Sequence, residues 1–301
     1  MKTTRVFLVL AFTVAVSAYA GGKFTAWSTP TNLGPAVNST FLEAAPSVSK
    51  NGLSLYFQSN RPGPLGGFDL YVSQRTSPQE SWGPPVNLGP VVNSTGADVN
   101  PALSRDEHYL FFATDRPGGL GGLDIWVSRR EHTHDDFAWE TPIAITEINS
   151  SASDGGPVFF ENEWGRPQLY FGSTRAGGAG DADLYLTEQK EDGTWSPPTP
   201  VAELNSAFQE QNPSIRYDGL EIFFASTRAP SVGFDLWTST RENVTAMWST
   251  PMRIDINSPQ NDNHPGLSGD GMTLYFTSNR LGGVGNDDLW VSTRERRRGN
   301  E

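Results

Sequence analysis

The chain has no cysteine and only four histidines, and it is poor in basic residues, with 22 Lys plus Arg against 34 Asp plus Glu for a formal net charge of −12. Without cysteine there can be no disulfide framework, thiol catalysis, Cys-ligated metal or lipid-modified N-terminal Cys. The acid excess argues against nonspecific binding to nucleic acid or an anionic membrane, which needs a basic surface to displace counterions. Long apolar runs are also missing. The longest, at the N-terminus, falls well short of the roughly 20 residues that cross a bilayer, so no membrane insertion is expected. What the chain has in quantity is Gly (31), Pro (22) and Trp (9). With a hydrophobic content of 36%, this composition predicts a compact β protein of short strands and tight turns.

Lys2 and Arg5 precede an apolar run from Val6 to Val16 and then Ala18-Tyr19-Ala20. A basic start, a short apolar stretch and a small-x-small site read as a secretory signal peptide over residues 1–20, so export to the periplasm or the extracellular space is expected. Residues 21–295 are expected to form a single domain that stays monomeric, and residues 296–301, with Arg296-Arg297-Arg298, a solvated basic tail.

One unit recurs five times. The segment N-S-x-x-x-[DE]-x-x-P begins at Asn38, Asn93, Asn149, Asn205 and Asn257 and ends at Pro46, Pro101, Pro157, Pro213 and Pro265. The intervals between successive Asn residues are 55, 56, 56 and 52, a period suited to propeller blades. After each Pro come a short strand, a turn such as Asn51-Gly52, and an apolar strand such as Leu55-Tyr56-Phe57, which together signal a hairpin. A Gly-rich loop then opens with Arg61, Arg116, Arg175, Arg228 or Arg280 and closes with Asp69, Asp124, Asp183, Asp235 or Asp288. A third strand follows at once, and a fourth is marked by Trp82, Trp139, Trp195 or Trp248. The fifth copy lacks its fourth strand, which Trp27-Ser28-Thr29-Pro30 at the other end supplies. The expectation is an all-β, five-bladed β-propeller with four antiparallel strands per blade, closed by the N-terminal strand in the last blade.

The stretches Asn60-Arg61-Pro62-Gly63 through Phe68-Asp69-Leu70-Tyr71-Val72-Ser73 and Asp115-Arg116-Pro117-Gly118-Gly119 through Leu123-Asp124-Ile125-Trp126-Val127-Ser128 resemble the TolB-type WD-like propeller repeat. The stretch from Pro46 to Phe57 resembles the same repeat, and the likeness covers nearly the whole mature chain. The resemblance implies the propeller fold and an exported envelope protein, often a binding scaffold.

The topology places the N-S-x-x-x-[DE]-x-x-P segments and the Gly-rich loops on one face, with Glu43, Asp98, Asp154, Glu210 and Asp262 in a ring near the channel mouth. Five carboxylates at one level need neutralising partners. Either each meets a loop Arg in a structural pair, with the closing Asp residues serving the same framework, or part of the ring binds a metal such as Ca²⁺, a sugar or a peptide. No other cofactor is expected. Repetition in every blade favours structure, whereas a specific ligand requires asymmetry. Immediately before the Pro stand Ala45, Asn100, Gly156, Asn212 and His264, so blades two, four and five offer polar groups while blades one and three leave space. Glu43, Asp98, Asn100, Asp154, Glu210, Asn212, Asp262 and His264 are thus the candidate ligand-binding residues at the channel mouth.

The Gly runs at 177–180 and 282–285 lack the Lys and helix of a phosphate loop and read as turns. The insertion His132-Thr133-His134-Asp135-Asp136 has metal-ligating residue types but reads as solvated, and the sequons at Asn38, Asn93, Asn149 and Asn243 mostly restate the repeat. No Ser-His-Asp arrangement is available and no catalytic residue is assigned. The function expected is a non-catalytic binding or interaction scaffold engaging an envelope or extracellular protein, peptide or glycan, but not nucleic acid. The alternative is a glycoside hydrolase or lyase using the channel-mouth carboxylates, although no acid directly precedes an inner-strand Pro.

Overall fold

A computed structural model describes residues 23–297 except 64 and 162–164. The signal sequence assigned to 1–20 and the end of the basic tail lie outside these residues. The described chain forms five four-stranded antiparallel sheets with no helix among them. Blade one comprises β2 (Glu43–Val48), β3 (Ser54–Ser59), β4 (Asp69–Gln74) and β5 (Val86–Asn87). Blade two comprises β6 (Asp98–Leu103), β7 (Tyr109–Thr114), β8 (Asp124–Arg129) and β9 (Ile143–Ala144). Blade three comprises β10 (Asp154–Phe160), β11 (Gln168–Ser173), β12 (Asp183–Glu188) and β13 (Thr199–Pro200). Blade four comprises β14 (Glu210–Ile215), β15 (Glu221–Ser226), β16 (Asp235–Thr240) and β17 (Met252–Arg253). Blade five joins β18 (Asp262–Leu267), β19 (Thr273–Ser278) and β20 (Asp288–Thr293) to β1 (Thr31–Asn32) from the N-terminal end. Thr31 pairs with Val291 and Asn32 with Trp290, which closes the ring. The paired part of each fourth strand begins beyond its Trp-x-x-Pro mark.

The apolar runs of the second strands follow from this stacking. A strand in the middle of a blade has a neighbouring blade on each side, so successive residues pointing in opposite directions are both buried. Leu55, Tyr56 and Phe57 are all fully buried, as are Ile222, Phe223 and Phe224. Five hydrophobic clusters fill the five interfaces between blades, and the repeat Trp residues belong to them: Trp139 between blades one and two, Trp195 between two and three, and Trp237 and Trp248 between three and four.

The repeat Asn has a specific task at these interfaces. Asn38 accepts from the Leu289 amide at 2.9 Å and donates to the Leu289 carbonyl at 3.0 Å, so its amide extends the third strand of blade five by one ladder step. Asn93 does the same for Leu70, Asn149 for Ile125, Asn205 for Leu184 and Asn257 for Leu236. Only an amide offers a donor and an acceptor in that geometry, which explains why Asn stands at this position in every copy.

Candidate functional site

The ring carboxylates sit where the inner strands begin, on the face formed by the Gly-rich loops, hereafter the loop face. All five are fully buried. Glu43 pairs with Arg61 at 2.8 Å and accepts further hydrogen bonds from the Ser39 and Ser59 hydroxyls and the Ser39 amide. Asp98 pairs with Arg116 at 2.5 Å, Asp154 with Arg175 at 2.6 Å, Glu210 with Arg228 at 3.0 Å and Asp262 with Arg280 at 2.5 Å. Each Arg also donates to a carbonyl of the segment leading into its blade: Val37, Val92, Ile148, Leu204 or Ile256. Its guanidinium lies against the second-strand Phe and the third-strand Tyr or Trp, as Arg280 does over Phe276 at 4.8 Å and Trp290 at 5.3 Å. The ring therefore consists of separate ion pairs, one per blade, with the acids sealed away from a ligand. Among the described residues no group of three or more His, Asp or Glu side chains is placed to hold a metal ion.

The closing Asp residues do not pair with the loop arginines. In blades one and five they cap their own loops and hold the fourth strand, and in blade four the Asp holds the fourth strand alone. Asp69 accepts from the Gly66 amide and from Asn87, Asp288 from the Val284 and Gly285 amides and from Asn32, and Asp235 takes Arg253 at 2.7 Å. In blades two and three the corresponding fourth-strand residues are Ala144 and Pro200, which have no donor to offer, and Asp124 Oδ1 and Asp183 Oδ1 are left buried without a partner.

Within the axial channel, Ala45, Asn100, Gly156, Asn212 and His264 converge with their prolines around a cavity of about 40 Å³. That is room for about one water molecule. Asn100 reaches Asn212 at 3.4 Å, and Asn212 reaches Asn263 at 3.0 Å. Gly156 leaves no free space, because a Cβ there would come within 2.6 Å of the Asn212 amide oxygen. The expected gap at blade three is thus filled from blade four, and the cavity at this level is too small for a sugar ring. His264 has an unpartnered Nδ1, and burial lowers its pKa to about 4, so it is neutral at physiological pH.

The larger opening is at the other end of the axis, on the face formed by the hairpin turns, hereafter the turn face. A cavity of about 720 Å³ is lined by turn residues of blades one, four and five, together with Arg105 of blade two. The Tyr217 ring packs on the Gly269 backbone, where a Cβ would approach it to 2.0 Å, and Arg105 lies 5.6 Å from its centroid. Burial and the nearby Glu107 carboxylate push the Tyr217 hydroxyl up to about 12. Arg296 lines the same cavity and its backbone forms a β-bridge with Phe24, so this residue of the expected free tail is tied to the propeller. The sequence signal for this face lay in the turn residues Lys50, Arg105 and Tyr217, which differ from blade to blade.

Sequence reasoning also passed over a second set of arginines at the ends of the third strands. Arg75, Arg130, Arg241 and Arg294 stack on the fourth-strand Trp residues at 4.1 to 4.4 Å, while blade three has Gln189. The blade-two insertion serves one of them. Asp136 is buried, pairs with Arg130 at 2.9 Å and accepts from Ser54, Tyr56 and Gln74 of blade one. It is an interblade clamp rather than a solvated residue, although His132 and His134 beside it are exposed.

No protein-family model matches the chain, and no curated protein matches it. Solved structures do. An alpha-L-arabinofuranosidase from Podospora anserina, in complex with cellotriose, is similar at 11% identity and a TM-score of 0.59, covering 91% of this chain and 98% of that one. An endo-arabinase from Bacteroides thetaiotaomicron is similar at 15% identity and a TM-score of 0.58, covering 91% and 99%. A protein from Agrobacterium tumefaciens with a provisional TolB name is similar at 15% identity and a TM-score of 0.48, covering 86% and 91%. At these identities the likeness is one of fold. The chain is a five-bladed β-propeller.

Proposed function

We propose that this protein is a non-catalytic binding propeller of the cell envelope or extracellular space, with its ligand held at the turn face. The observation that carries the reading is the pairing of every axial carboxylate with its own arginine. Glycoside hydrolysis needs one carboxyl group to protonate the leaving oxygen and a second to attack or to activate water. Buried acids with their oxygens committed to Arg and Ser donors cannot meet a glycosidic bond without dismantling the blade. By contrast, the turn-face cavity falls within the roughly 300 to 1,000 Å³ of ligand pockets and has polar and aromatic walls.

A second reading, a glycoside hydrolase or lyase using the axial carboxylates, draws on the glycosidase names of the fold's solved relatives. The two separate on an array of envelope glycans and peptides scored for retention and for released product. Retention without product is the expected result. Product formation that disappears in Asp98→Asn or Glu210→Gln, with the variants still folded, would establish the second reading in its place.

A further inference from the structure

Four cations without a carboxylate partner gather around one cavity of this acidic protein. The five loop-face arginines each lie within 4.0 Å of an acid, and so do Arg130, Arg216, Arg253 and Arg294. Lys23, Lys50, Arg75, Arg105, Lys190, Arg241, Arg296 and Arg297 have no such partner among the described residues, and four of them, Lys50, Arg75, Arg105 and Arg296, line the turn-face cavity. Against a chain charge of −12, a cluster of unpaired cations around a cavity of about 720 Å³ selects for anions.

The same wall carries two acids, which narrows the choice of anion. Asp218 uses Oδ1 for Arg216 and the Leu220 amide, and Asp270 uses Oδ1 for the Ser268 hydroxyl and the Met272 amide. The Oδ2 atom of each has no protein donor among the described residues. A phosphate dianion brings extra negative charge and no donor for these oxygens. A sugar acid brings a carboxylate for the guanidinium and ammonium groups and hydroxyls that donate to the aspartates.

Resting on the binding reading above, we infer that the turn-face cavity takes a short acidic oligosaccharide, one bearing uronic-acid carboxylates. Arg105, Lys50 and Arg296 hold the carboxylates, Asp218 and Asp270 accept from hydroxyls, and Tyr217 forms part of the floor.

Calorimetric titration of the full mature chain tests this with four probes: trigalacturonic acid, its methyl ester, inorganic phosphate and triglutamate peptide. The acid trisaccharide is expected to bind and remain intact, with affinity that falls as salt rises. The methyl ester should bind at least about tenfold more weakly, a difference of about 1.4 kcal/mol. Arg105→Gln with Lys50→Gln should lose a similar factor, whereas Lys190→Gln, away from the cavity, should lose none. Because Arg105 also touches Tyr217, Arg296→Gln at an exposed position provides a second variant, expected to weaken binding without altering the melting temperature. Equal binding of acid and ester, tighter binding of phosphate or peptide, or unchanged affinity in both variants would overturn the inference. Absence of trisaccharide binding while the array retains another ligand overturns this inference alone. Cleavage of the trisaccharide overturns the binding reading itself.

Discussion

The residue before each inner-strand proline has a left-handed backbone: φ is 56° at Ala45, 55° at Asn100, 59° at Gly156, 53° at Asn212 and 48° at His264. Each marks a bulge, and the register shifts across it in all five blades. Gly, Asn and His are among the residues that tolerate this conformation best. Much of the apparent polar asymmetry at these positions therefore reflects backbone geometry rather than ligand recognition. Ala45 is the poorest fit. Left-handed strain of about 1 to 2 kcal/mol exceeds the extra entropy that Gly loses, about 0.5 to 1 kcal/mol, so Ala45→Gly should stabilise the protein by up to about 1 kcal/mol in urea unfolding. Gly156→Ala should do the reverse by about 1 to 3 kcal/mol, because its new methyl group meets Asn212. At His264, burial alone holds the folded pKa near 4, below its ordinary value. As pH falls from about 6.5 towards 4, the unfolded chain takes up a proton that the folded one refuses, and up to about 3 kcal/mol of stability is lost. His264→Asn should flatten the stability profile across that window, as followed by denaturant midpoints at a series of pH values.

The fourth strand shows how a two-residue element is held. Asn32 and Asn87 each donate to the closing Asp of their blade and accept from a turn amide and from the repeat Asn. Blade two has Ala144 in the corresponding register and an orphaned carboxylate oxygen on Asp124. Ala144→Asn should supply the missing donor and raise stability by about 1 kcal/mol, measurable as an increase in melting temperature. The repeat spacing made blade number, strand order and ring closure legible in the sequence, because each blade must present the same Asn, acid and Pro to its neighbour. The pairing scheme was less legible. Arg and Asp bracket one loop, but three-dimensional proximity gives the Arg to the inner-strand acid and the Asp to the fourth strand. The Asp136 clamp was hidden because an insertion has no repeat partner against which to read it.

At the scale of the whole molecule, the axis has two unlike ends. The loop end is built from five copies of one ion pair, and the channel beyond it closes to about 40 Å³. The turn end carries a cavity of about 720 Å³, formed by residues that vary between blades. The first end is the one the sequence repeat marks, whereas the irregular residues of the second end carry no periodic signal. The most direct test of the account is a double-mutant cycle on Asp98→Asn and Arg116→Met, read by denaturant unfolding. If the ring acids serve the framework, each single substitution strands a buried group and costs about 3 to 5 kcal/mol, and the double variant costs clearly less than the sum. Single variants with unchanged stability and additive effects would contradict the structural assignment and return the axial carboxylates to the list of groups free for chemistry.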